Sequence, residues 1–275
     1  MNEENITTEH TGVLKSFFQP HPHFPSIGPE TVFHIGSFPV ANSTLMLVLS
    51  SAIVILTVII LNKKLKEIPS IFQNISEMMY ESIEGLFVQL TGSTKHADKV
   101  LPTIGSVLIF IGLSNFIGHI PLLTSITYEG EPVFRSATAD FNTTFALALG
   151  SVLMIQFIGF KENGFGYLGH FFKFKGVYNG FKKGIGEGMI AIIEFFVGLL
   201  ELISEFIRII SLSLRLFGNM FAGKVVMAIA IGSFAYVLPA VWLGMEFLVA
   251  FVQALVFASL ITVYYTLVLK QEDGH

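Results

Sequence analysis

The sequence predicts an all-α, polytopic membrane protein with about five transmembrane helices plus an amphipathic surface helix. Three observations carry that prediction. Of the 275 residues 52% are hydrophobic and only 13% are charged. Mean hydropathy is +0.69, well above the mix found in soluble domains. Several apolar runs approach the ~20 residues that a helix needs to cross a hydrocarbon core of ~30 Å. The net charge of -4 and pI near 6.1 leave no basic footprint for nucleic acid. Cysteine is absent, so disulfides, thiolate metal sites, haem attachment and cysteine nucleophiles are excluded.

Residues 1–41 read as an N-terminal tail. They are polar, punctuated by Pro20, Pro22, Pro25, Pro29 and Pro39, and hold His10, His21, His23 and His34. No basic start followed by a short apolar run and a small-residue cleavage site marks a signal peptide. His21-Pro-His23 lacks the carboxylates or thiolates that would complete a metal site. Residues 42–270 form the membrane domain, and 271–275 a short C-terminal tail. The first span runs from about Ser43 to Leu61 and stops at the basic run after Asn62. Beyond Pro69, the residues Ile71, Phe72, Ile75, Met79, Ile83, Leu86 and Leu90 recur at helical spacing opposite Glu77, Glu81 and Glu84, which predicts a helix lying on the membrane surface. The second span covers about Leu101–Leu123, a polar loop about Thr124–Asp140, and the third span about Thr144–Phe160. From about Met189 to Ile231 the chain stays apolar for a length of about 65 Å if helical, twice the membrane. Two short spans with a turn near Gly218 would fit this run, as would one tilted helix. A last span covers about Tyr236–Leu269, with Pro239 in its first turn, where a missing N–H costs little.

Lysines set the expected orientation. Lys63, Lys64, Lys66, Lys95 and Lys99 precede span two, and Lys161, Lys173, Lys175, Lys182 and Lys183 follow span three, whereas the tail and the second loop hold only Lys15 and Arg135. The positive-inside rule puts the N-terminus outside. With a single crossing by the long segment, Lys270 and the C-terminus return to the cytoplasm.

Two glycine motifs fail on context. Gly218 to Lys224 spells GxxxxGK, but Val225 stands where a magnesium-binding hydroxyl is required, and both flanks are apolar helix formers. Gly164-Phe-Gly166-Tyr-Leu-Gly169 spells GxGxxG, with Glu187 near the ribose offset, but no βαβ unit surrounds it.

The informative residues are ionisable ones inside apolar runs: Glu194, Glu201, Glu205, Arg208, Arg215, Lys224 and Glu246. An arginine at mid-membrane costs from ~3 to over 10 kcal/mol, so such groups are functional candidates by default. On one helix Arg208 and Arg215 lie within about 20° of each other, and Glu201, Ser204, Ser211 and Asn219 within about 40° of the same line, a polar stripe roughly 27 Å long. Lys224 points to the opposite face. Glu246 and Gln253 are seven apart with Tyr264 almost on their line; packed against the long segment they would put Gln253 near Arg215 and Glu246 near Lys224. Glu205 and Arg208 have the i,i+3 spacing of a surface ion pair. His119, beside Gly118 and Pro121, reads as an interfacial residue at the outer end of span two. Arg215 has no acid three or four positions away. Because arginine keeps its proton at physiological pH, it is a fixed charge rather than a relay. It would attract a mobile carboxylate and repel a cation trying to pass directly. Two polar half-paths separated by a permanent positive barrier are therefore required.

Ser211-Leu-Ser-Leu-Arg215-Leu-Phe-Gly-Asn219-Met-Phe-Ala-Gly-Lys224, followed by Gln253-Ala-Leu-Val-Phe257, resembles the core of subunit a of the F-type ATP synthase. Phe33 to Ser43, Asn115-Phe-Ile-Gly118 and Thr138 to Ala148 support the resemblance, which covers about residues 33–270. It implies that the long run is one strongly tilted helix curving around a rotating ring of c subunits. It also implies that Arg215 releases the ion from each ring carboxylate and keeps inlet and outlet apart. Asn219 and Gln253 match polar positions beside the arginine, Glu201 an acid on its cytoplasmic side, and Arg208 a position that is basic in some relatives. Asp140 and Asn142 match a polar cluster near the outer access path, to which His119 is assigned as well. Lys224 and Glu246 depart from the commoner Glu/His pairing and match a minority pattern. No cofactor is implied. The implied partners are the c-ring, the peripheral-stalk subunit b, other synthase subunits and lipid, and the implied location is a bacterial inner membrane. A stand-alone secondary transporter is the competing reading, but its usual cue, broken helices in symmetric halves, is missing from the sequence. An intramembrane enzyme lacks a catalytic set. The choice between H⁺ and Na⁺ is left to the ring's own ligands.

Overall fold

The computed structural model describes residues 26–63, 69–120, 123, 126–128, 131–163, 185–233 and 237–270. The histidines of the tail up to residue 25, the GxGxxG run, six of the ten loop lysines and the C-terminal five residues lie outside them.

Seven α-helices account for most of the described chain. They are α1 (Asn42–Lys63), α2 (Ile71–Thr91), α3 (Thr94–Val100), α4 (Ser106–Gly118), α5 (Phe141–Asn163), α6 (Ile185–Ser233) and α7 (Val237–Lys270). α1 stops where the basic run begins. Ser70 opens α2, its hydroxyl accepting from the Gln73 N–H, and Gln73 Nε2 donates to Glu77 Oε1 one turn on at 2.8 Å.

Span two begins earlier than its hydropathy suggests. α3 and α4 are joined by a π-helical turn, Leu101–Gly105, with Pro102 near its start. A proline removes one N–H from the ladder, and a wider turn is one way a helix absorbs that loss. The continuous stretch Thr94–Gly118 is 25 residues long. Its C-terminal limit also moves, from the expected Leu123 back to Gly118.

The long apolar run is one unbroken helix of 49 residues, α6, so the turn near Gly218 does not form. Four helical stretches are long and apolar enough to cross a membrane: Asn42–Lys63, Thr94–Gly118, Phe141–Lys161 and Leu238–Val268. With α6 they make the all-α polytopic fold expected.

Part of the expected tail is ordered. Strands β1 (Thr31–Ile35) and β2 (Phe38–Ala41) form an antiparallel hairpin pairing Phe33 with Val40 and His34 with Pro39, with a bulge between Thr31 and Phe33. Pro39 is tolerated because a two-stranded ribbon has only edges. The polar loop before α5 carries a second short hairpin, β3 (Thr127–Tyr128) with β4 (Glu131–Pro132), and a 3₁₀ turn over Ala137–Ala139.

The described chain forms two compact units. The first takes in the chain up to Lys64, Ile109–Phe141 and Leu216–Leu255, and the second Leu65–Leu108, Asn142–Arg215 and the chain from Val256. In the first unit Met46, Ile117 and Ala137 form one apolar cluster with Leu47, Ile53 and Phe134 around it, and Ala139, Met220 and Ala250 form another. Gly118 is needed here, since a Cβ at that position would come within 2.6 Å of Ser136 Cβ. In the second unit Phe87, Val152, Ile155, Ile261 and Tyr265 are fully buried.

Candidate functional site

In the first unit three helices each supply a pair of residues one turn apart: Asn115 on α4 with His119 just past its end, Asn219 and Gly223 on α6, Trp242 and Glu246 on α7. The i,i+4 spacing stacks each pair on one face. Glu246 is only 8% exposed and His119 7%. His119 Nε2 lies 3.5 Å from Glu246 Oε2, and Nδ1 lies 2.6 Å from the carbonyl oxygen of Asn115. The carbonyl can only accept, so Nδ1 is the protonated nitrogen. Trp242 Nε1 donates to Glu246 Oε1 at 3.1 Å and to the Gly223 carbonyl at 3.2 Å. A Cβ on residue 223 would stand 2.6 Å from Glu246 Oε1, so only glycine lets the carboxylate come so close to α6. Phe247 closes another side, its ring centroid 5.8 Å from that of His119.

His119, expected at the end of span two, is buried and lies beside an acid of α7. Glu246 has its ionic contact with His119 and, as expected, is also within electrostatic reach of Lys224, which is half-buried and interacts in turn with Glu30 and Arg135. A helix that turns Gly223 toward α7 points the next residue about 100° away.

Gln253, two turns beyond Glu246, accepts a hydrogen bond from Asn219 Nδ2. The expected partner was Arg215, which lies one turn before Asn219 on the same helix. Gln253 is 5% exposed, and its Nε2 has no partner among the described residues. In the loop before α5, Asp140 accepts from Ser43 Oγ at 2.7 Å, and Thr138 donates to Asn115 Oδ1. Arg135 is buried and fastens this loop to the chain before β1, donating to the carbonyls of Gly28 and Ser26 at 2.7 Å each. Burial pushes its guanidinium below the ordinary arginine value, and Glu30 and Asp140 oppose that shift. Arginine titrates so high that it stays charged throughout the physiological range.

In the second unit the predicted ion pair forms, with Arg208 Nη1 3.0 Å from Glu205 Oε1. It is more than a surface pair. The Arg208 guanidinium lies 3.6 Å from the centre of the Tyr264 ring, the Tyr264 hydroxyl donates to Glu205, and Gln156 Nε2 donates to Glu205 Oε2 at 2.9 Å. Buried Thr144 and Ser213 share a hydroxyl contact of 3.3 Å. Glu201 is half-buried, and Asn142 is exposed at the start of α5.

Arg215 is exposed, on a face of α6 that also exposes Ser211, Leu214, Asn219 and Ala222. Toward the N-terminus the exposed face is apolar: Ile193, Leu200, Phe206 and Ile207 are each about 60% exposed. A long greasy face that carries an exposed arginine is unsuited to bare lipid.

Sequence reasoning missed Trp242, Gln156 and Ser43. An indole, an amide and a hydroxyl in apolar helices give no periodic signal; only the i,i+4 spacing of Trp242 and Glu246 could have suggested the first.

The profile of the ATP synthase A chain family matches residues 44–266. The chain is 33% identical over 225 residues to ATP synthase subunit a of Geotalea daltonii, covering 82% of this chain and 85% of the relative. It is 37% identical over 214 residues to the protein of that name from Desulfotalea psychrophila, covering 77% and 76%. It is 28% identical over 253 residues to that from Gloeobacter violaceus, covering 90% and 92%. A match over most of the length, on a fold of long apolar helices with polar clusters before and after Arg215 along α6, places the chain in the ATP synthase subunit a family.

Proposed function

We propose that the chain is the stator ion channel of an F-type ATP synthase, with two half-channels leading ions to and from a rotating ring of c subunits and Arg215 keeping them apart. It is a non-catalytic, multi-pass subunit of a bacterial inner membrane. The single observation carrying the channel reading is the exposed Arg215 on the apolar face of an unbroken 49-residue helix. At about 74 Å α6 can remain within the bilayer only by tilting steeply, which presents its exposed face lengthwise to a neighbour.

On this reading the ring carboxylate arrives protonated or ion-loaded, meets the Arg215 charge, gives up its cargo and moves on. The cluster of His119, Glu246, Asn219 and Gln253 with Lys224 lines the outer half-path, Asp140 and Asn142 stand near its mouth, and Glu201 with Glu205 and Arg208 lines the cytoplasmic one. A potential of 100 mV supplies about 2.3 kcal/mol per elementary charge moved, and successive ions add up to rotation. Subunit b would hold the chain still. The N-terminus faces outward and the C-terminus the cytoplasm.

Arg215→Ala in the whole synthase, reconstituted in vesicles, abolishes ATP-driven ion pumping while ATP hydrolysis persists. Retained pumping would refute the channel reading, and purification of the chain as an active monomer without a ring of helical-hairpin subunits would favour a transporter.

A further inference from the structure

We infer that His119 and Glu246 form a one-proton store on the outer half-path, so that this path carries H⁺ and His119 is its proton-exchanging residue. The inference rests on the channel reading above. Nδ1 is committed to the Asn115 carbonyl at 2.6 Å, so the nitrogen facing Glu246 has a hydrogen only when the ring is charged. Glu246 Oε2, 3.5 Å away, has one only when the acid is neutral. With no proton between them two lone pairs would face each other in a buried site, which is costly; with one the contact is either imidazolium with carboxylate or imidazole with carboxylic acid. A proton taken up at Nε2 passes to Oε2 when the pair closes to hydrogen-bond length, leaving neutral His119 and protonated Glu246. Loss of that proton inward toward Gln253 and Asn219 restores the carboxylate. Trp242 Nε1–H on Oε1 holds the carboxylate in place and steers the exchange to Oε2.

The same cage disfavours Na⁺. A hard cation seeks several oxygen ligands, whereas Glu246 is faced by an imidazole nitrogen and an indole N–H, and residue 223 brings no side chain. The charged groups around the pair are Lys224, whose field reaches Glu246, then Arg135 and Glu30, whose fields reach Lys224, and Asp140 on the outer turn. None lies between Nε2 and Oε2.

The test uses the whole synthase in vesicles, reading passive H⁺ conduction through the membrane sector against external pH, with and without Na⁺. His119→Gln is expected to slow conduction at least tenfold and to flatten its dependence on external pH, with no effect of Na⁺ on the parent. Glu246→Gln should do the same, and the double variant should be no slower than either single one, because groups that act as a unit lose their function together. An unchanged pH profile in either single variant, additive losses in the double, or conduction that requires Na⁺ would overturn the inference. Should His119→Gln not assemble with the ring, Trp242→Phe takes its place. Loss of the indole N–H weakens the hold on the carboxylate and moves the pH profile upward, and an unmoved profile counts against the store. Arg215→Ala in the same vesicles separates the two claims: loss of pumping there with a normal His119→Gln profile sinks only the proton store.

Discussion

At the scale of single residues, the contrast is between two acids held by several partners and an arginine exposed on its helix. Glu246 has an imidazole and an indole about it, Glu205 a guanidinium, a phenol and an amide, whereas Arg215 stands exposed on its helix. Gly223 is the residue whose enlargement would disturb the Glu246 carboxylate most directly. A methyl there would meet Glu246 Oε1 at 2.6 Å, well inside van der Waals contact, so Gly223→Ala must displace the carboxylate from Trp242 and His119. We expect ATP-driven pumping to fall at least fivefold with the complex still assembled, measured by fluorescence quenching in vesicles against subunit content. Arg215 stands out in the sequence because a cation deep in an apolar run has no cheap explanation. The pairing of His119 was not legible because its acid lies on a helix far along the chain. Trp242 was invisible because an aromatic in an apolar helix looks the same whether it faces lipid, core or a carboxylate.

At the scale of elements, hydropathy located the helices well and their ends less well. α1, α5, α6 and α7 lie within a few residues of the expected limits, but the π turn at Leu101–Gly105 lets span two begin at Thr94, since periodicity does not see a proline accommodated within a continuing helix. The β1–β2 hairpin was hidden by its place in a polar, proline-punctuated tail and by the distance in sequence between Arg135 and the carbonyls it holds. Within the second unit Tyr264 of α7 joins α5 and α6 through Gln156, Glu205 and Arg208. Tyr264→Phe keeps the ring under Arg208 and removes the hydroxyl donor to Glu205, a charge-assisted bond worth about 1.5–3 kcal/mol. Hydrogen exchange of the α6 amides near Glu205 should quicken about 10- to 100-fold; unchanged exchange would show the bond to be energetically idle.

At the scale of the whole molecule, the absence of cysteine makes orientation directly measurable. Ile27→Cys, at a residue 75% exposed before β1, should react with a membrane-impermeant maleimide added outside intact cells. Lys161→Cys, exposed near the end of α5, should react only in inverted vesicles. Swapped labelling would reverse the proposed topology. The bare guanidinium on α6 also bears on how the chain is made. A newly inserted copy with no rotor beside it would hold that charge against acyl chains at a cost of ~3 kcal/mol or more, relieved only by drawing headgroups and water inward and thinning the bilayer. Orphaned copies would therefore be a marked, short-lived population open to membrane proteolysis, and the order in which stator and rotor are synthesised would decide how much of the protein survives.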